Sequence, residues 1–109
     1  MTTRSPLPDD AAEALARVAL RWQQLPEGHA RLCLPRLRQE LAALLVLTDG
    51  GDASGVTAAD ADGAGLPDLG PAVVIDQLRV LAYDAAAAGR SEGLAGRLRT
   101  LLTDVNAIS

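Results

Sequence analysis

In 109 residues the chain has no lysine, no phenylalanine, and a single tryptophan, tyrosine, cysteine and histidine. Each scarcity excludes something. Trp22 and Tyr83 alone cannot form the aromatic set on which nucleic-acid bases stack. The lone Cys33 excludes an internal disulfide framework and fits a reducing cytoplasm. The lone His29 lies four residues before Cys33, and two ligands do not make a zinc site, which needs three or four. The longest apolar run, Leu41 to Leu47, is too short to span a bilayer, so no membrane partner is expected. The N-terminal stretch "MTTRSPLPDDAAEALA" has no apolar h-region, so no signal peptide is expected. There is no G-x-S-x-G, no P-loop and no G-x-G-x-x-G after a strand. There is also no paired Glu-x-x-His, which removes the di-iron bundle enzymes. No cofactor and no metal is expected.

What is present is aliphatic. Apolar residues make up 49 % of the chain, dominated by Leu and Ala, and such a core suits helices better than a β-sandwich. All ten basic residues are arginine. With the Ala, Gly and Asp load this reflects a GC-rich genome, and no function is read into Arg over Lys.

Four helices are legible. The first runs from about Asp10 to Leu25, with Ala11, Leu15, Val18, Trp22 and Leu25 on one face. Asp10 with Glu13 three residues on reads as a capping box. The second runs from about Glu27 to Thr48, with Leu34, Leu37, Leu41, Leu44, Leu45 and Thr48 as its seam. Pro35 predicts a kink or a fresh start. The third runs from Pro71 to about Ala88, with Pro at N1 and Gly89 as the C′ residue. Its seam is Val74, Leu78, Leu81 and Ala85. The fourth runs from Ser91 as N-cap to about Ile108, with Leu94, Leu98, Leu101, Val105 and Ile108 in register. The short links near 26–28 and 89–91 predict antiparallel neighbours. The expected fold is therefore all-α: a single helical domain over 1–109, a four-helix bundle of two antiparallel αα-hairpins joined by a long linker at 49–70.

That linker carries the acidity. "TDGGDASGVTAADADGAGLPDLGP" holds Asp49, Asp52, Asp60, Asp62 and Asp68, six glycines and no positive charge, although the whole chain is only −4. The remainder is close to neutral. An EF-hand register from Asp60 puts Asp62 at position 3, Gly65 at 6 and Asp68 at 9. It fails at Ala64 in position 5 and Pro71 in position 12, where the bidentate Glu belongs. The composition reads instead as a solvated linker, with Val56, Leu66 and Leu69 able to pin parts of it to the bundle.

The functional expectation rests on an excess of apolar surface. Val73, Val80 and Ala87 form a second stripe on the third helix, off its seam, and Tyr83 lies on its polar face. Leu20 and Leu47 also sit off their seams. These six are the interface candidates for a homodimer or another protein partner. The leading reading is a non-catalytic interaction or oligomerisation module. A second is a small-molecule-binding bundle or enzyme with a cavity near Trp22, Cys33 and His29. A third is a nucleic-acid-associated regulator using Arg31, Arg36, Arg38 and Arg90, Arg97, Arg99. The acidic pI of about 4.7 weighs against nucleic acid, and solvated pairing of these arginines with Glu40, Asp76, Asp84 or Glu92 is expected instead.

Overall fold

A computed structural model describes residues 6–108, so residues 1–5 of the stretch read for a leader lie outside it. Five helices appear in order: α1 (Asp9–Gln24), α2 (Glu27–Thr48), α3 (Ala58–Gly63), α4 (Pro71–Ala87) and α5 (Leu94–Ala107). The four long ones match the four read from periodicity to within a few residues, and the short α3 falls inside the expected linker.

The seams are buried as the periodicity requires. Val18 and Trp22 of α1, Leu37, Leu41 and Leu44 of α2, Val74 and Leu78 of α4, and Leu98, Leu101 and Val105 of α5 join one apolar cluster. Alanines at 11, 14, 19, 82 and 85 are buried among them, so the helices approach closely at small residues. Gly89 ends α4 as expected. At φ +81° it turns the chain so that Arg90 N–H donates to Ala85 O at 2.9 Å and Gly89 N–H to Ala86 O at 3.0 Å, the Schellman arrangement.

The helix pairing differs from the expectation. α1 packs chiefly on α5, with lesser contact to α4, and α2 packs on α4 and α5. The sequence neighbours α1–α2 and α4–α5 thus lie diagonally across a bundle-like array and are not the side-by-side hairpins predicted. Leu25 and Pro26, which separate α1 from α2, are both extended, with ψ of 135° and 150°. After α4, Gly89 and Gly93 both take positive φ, and α5 starts only at Leu94, with Gly93 as its N-cap. Ser91 contributes a turn, its carbonyl accepting from Leu94 N–H at 3.1 Å, and it does not cap.

Two local expectations are also corrected. Pro35 does not restart α2, which runs unbroken through it: the proline lies on the exposed face, where the carbonyl it orphans one turn earlier can be hydrated. The capping box at Asp10 and Glu13 does not form: Asp10 accepts from Ala11 N–H at 2.8 Å, and Glu13 pairs with Arg17 at 2.9 Å. A capping box does occur at α3, where the Asp60 carboxylate accepts from Thr57 N–H at 2.7 Å.

The 49–70 stretch is not a plain solvated string. Arg38, only 5 % exposed, reaches out of α2 into it. Its guanidinium donates to Asp62 Oδ1 at 2.7 Å, to Leu66 O at 3.0 Å and to Pro67 O at 3.2 Å. Gln39 donates to Val56 O at 3.0 Å, and Gln77 to Pro67 O at 3.1 Å. Ala61 is fully buried. The positively charged fork thus holds the acidic segment against α2 and brings Leu66 beside α4.

Candidate functional site

The residues expected to form an interface divide by exposure. On α4, Val80 is 58 % and Tyr83 46 % exposed, Ala87 is exposed and Val73 half-buried. The opposite side of the same helix is spent on the core: Val74, Ile75, Leu78, Leu81, Ala82, Ala85 and Ala86 are all buried. The second stripe is therefore surplus to packing within the chain. Between Val80, Leu81, Gln77, Asp76 and Leu66 lies an open groove of about 270 Å³. Because the 49–70 segment is held down, Leu66 supplies its far wall. Leu20 is 57 % exposed but on α1, and Leu47 is half-buried against the core, so it is a packing residue. Two further leucines are exposed: Leu32, which the sequence reading does not single out, and Leu69, which is expected to pin the linker to the bundle and does not. Leu69 falls in the stretch read as linker, and Leu32 falls off the α2 seam.

Trp22, Cys33 and His29 do not converge on one cavity. The Trp22 indole donates to Pro71 O at 2.8 Å and lines a cleft of about 350 Å³ with Ile75, Glu27 and Arg79 that neither Cys33 nor His29 reaches. Those two instead meet at a single backbone oxygen near the end of α5. His29 Nε2 lies 3.3 Å and Cys33 Sγ 3.7 Å from Val105 O. A carbonyl only accepts, so the imidazole donates there through Nε2–H and the thiol through S–H. Both side chains tie α2 to α5. Burial pushes the Cys33 thiol above its ordinary value, against a weaker opposite pull from Arg21.

A pH dependence follows. Unfolding releases a thiol that ionises more easily than the buried one, so alkaline pH favours the unfolded chain. The stability contribution is complete below the ordinary thiol value of 9.0 and is lost as pH rises through the higher folded value. The melting temperature of the native chain should therefore fall more steeply above that pH than that of Cys33→Ala, and iodoacetamide should label Cys33 only after denaturation. Rapid labelling of the folded chain would contradict the inert, buried thiol.

The arginine clusters do not make one face. Arg31 pairs with Glu27 on the surface at 2.9 Å, and Arg38 is committed to the 49–70 segment. Arg36 and Arg97 come together from α2 and α5 on Glu40, which is only 1 % exposed. Glu40 Oε2 accepts from Arg97 Nε at 2.8 Å and Oε1 from Arg36 Nη1 at 3.2 Å, while Arg36 Nε donates to Asp104 at 2.9 Å. The expected Glu40 pairing thus exists, but it is buried between helices and not solvated. Asp76 pairs on the surface with Arg79, at 3.2 Å, an arginine outside both clusters.

The acidic side chains of the loop are turned to separate partners. Asp60 caps α3, Asp62 meets Arg38, and Asp68 accepts from Gly70 N–H at 3.0 Å. Asp52 accepts from Ser54, whose N–H and hydroxyl hold its carboxyl below the usual carboxylate range. Among the described residues no group of three or more His, Cys, Asp or Glu could hold a metal ion, and no helix is long and apolar enough to cross a membrane. Comparison with protein-family models, curated proteins and solved structures finds no match to this chain.

Proposed function

We propose that this chain is a non-catalytic protein-interaction and oligomerisation module that associates through the exposed face of α4. The observation that carries the reading is the surplus stripe: Val80 and Tyr83 remain exposed beside an apolar groove on a helix whose other side already fills the core. Burying one valine side chain is worth roughly 1.5–3 kcal/mol. Two copies of Val80, with Tyr83 from each chain, contribute several kcal/mol. Association itself costs an estimated ~4–15 kcal/mol. The two terms are of the same order, which points to a weak and reversible complex. The small-molecule reading loses support because its three candidate residues are engaged at two different backbone oxygens. The nucleic-acid reading loses support because Arg36, Arg38 and Arg97 are neutralised by carboxylates.

The test is Val80→Arg. Val80 faces solvent within one chain, so the substitution should leave the helical circular dichroism unchanged. It should place two like charges in a symmetric contact and reduce the mass by light scattering from two chains to one. A two-chain mass that survives Val80→Arg would remove α4 from the association.

A further inference from the structure

We propose that the two halves of this chain also assemble in trans: residues 71–108 of one copy seat on residues 6–67 of a second copy, in place of its own. The inference does not rest on the exposed α4 face. It follows from how the core is divided. The N-terminal half contributes α1 and α2, which scarcely touch each other, and the C-terminal half contributes α4 and α5, which scarcely touch either. Every extensive contact among these four helices crosses from one half to the other: α1 on α5, and α2 on α4 and α5. The buried seams, Leu41 of α2 and Leu98 of α5 among them, are therefore covered by the opposite half. Neither half encloses a core by itself, and two helices that do not meet leave their apolar faces in water.

The polar ties cross in the same way and make the match specific. Trp22 donates to Pro71 O at 2.8 Å, Arg36 to Asp104 at 2.9 Å, and Arg97 to Glu40 at 2.8 Å. The covalent link between the halves has only a short free part. Arg38 holds the acidic segment to α2 as far as Pro67, so the passage into α4 is Asp68, Leu69 and Gly70. The chain turns there, with Gly70 at φ +84°. Opening that turn releases α4 and α5 together, and a second copy opened in the same way offers the same seams and the same hydrogen-bond partners. The closed and exchanged forms bury the same surfaces, so they differ in the hinge and in the entropy of joining two chains.

Two full-length variants test this. Leu41→Asp places a carboxylate in the α2 seam and spoils the N-terminal half, and Leu98→Asp does the same to the C-terminal half; both leucines are fully buried. A buried, unpaired carboxylate is costly, so each variant alone should lose most of its helical circular dichroism. When the two are mixed in equal amounts, unfolded and refolded together, the intact C-terminal half of the first should assemble with the intact N-terminal half of the second. The mixture should recover about half of the native helical signal, since one of the two units in an exchanged pair is sound, and light scattering should show one chain of each in the complex. Association through the α4 face could not give this result, because it needs copies that are already folded. A mixture whose signal equals the sum of its separate parts would overturn the exchange. A variant that keeps the native signal alone would overturn the mutual dependence of the halves from which the exchange follows.

Discussion

Glu40→Ala should destabilise the fold by about 3 kcal/mol, the lower part of the range for breaking a buried ion pair by removing one partner. Glu40 is enclosed, and it is the acceptor on which Arg36 and Arg97 meet. Without it Arg97 keeps only its partial exposure of 35 %, and Arg36, 19 % exposed, keeps only Asp104. The partial access of Arg97 to water is why the estimate stays at the low end. For a chain of this size the melting temperature should fall by roughly 10–20 °C. A companion variant separates charge from shape. Replacing all three, as Arg36→Met, Glu40→Leu and Arg97→Met, should recover most of the loss, because an apolar cluster of similar volume needs no desolvation of charge. Thermal denaturation followed by circular dichroism reads both. A loss below about 0.5 kcal/mol for Glu40→Ala would show that the arginines behave as ordinary surface pairs.

The second large effect belongs to Arg38. Arg38→Ala removes three hydrogen bonds from a charged donor, each worth roughly 1.5–3 kcal/mol when well formed. Asp62, Leu66 O and Pro67 O sit in a largely exposed segment and can find water, so the loss should be local and not global. Opening of residues 57–67 should become about 10- to 100-fold more frequent. Limited proteolysis should then cut there first, while amide exchange of α1 and α5 stays as in the native chain. Arg38→Lys should not restore protection, since one ammonium cannot span a carboxylate and two carbonyls as the planar fork does. Cleavage at equal rates in the native and Arg38→Ala chains would mean that the segment is not held by α2. Losing this anchor also removes Leu66 from the wall of the α4 groove, so association should weaken with it.

What could be read in the sequence was whatever depended on local period and local backbone chemistry. The seams of α1, α4 and α5 needed only the spacing of Leu, Val and Ala, and the ends of α4 needed only Pro71 and Gly89. What could not be read depended on residues far apart in the chain. The i,i+4 spacing of Arg36 and Glu40 was visible, but that Glu40 is buried depends on Arg97, 57 residues away. The pairing of α1 with α5 and of α2 with α4 joins segments far apart in the chain, and link length alone pointed the wrong way. The burial of Arg38 had one available signal: an acidic segment attached to a body carrying all the arginines must find its counter-charge. The capping box at Thr57 and Asp60 was equally present, hidden by the weak helix formers Gly and Asp around it. On the α4 face, the stripe of Val73, Val80 and Ala87 was legible, whereas the groove wall at Leu66 was not, because it depends on Arg38 folding the acidic segment back.

Every functional statement above turns on whether the native chain pairs with itself. Sedimentation equilibrium of the unaltered protein, over concentrations from about 1 µM to 1 mM, measures that directly. The account predicts a mass that rises with concentration toward two chains of 11.3 kDa. A mass of one chain throughout that range would contradict it.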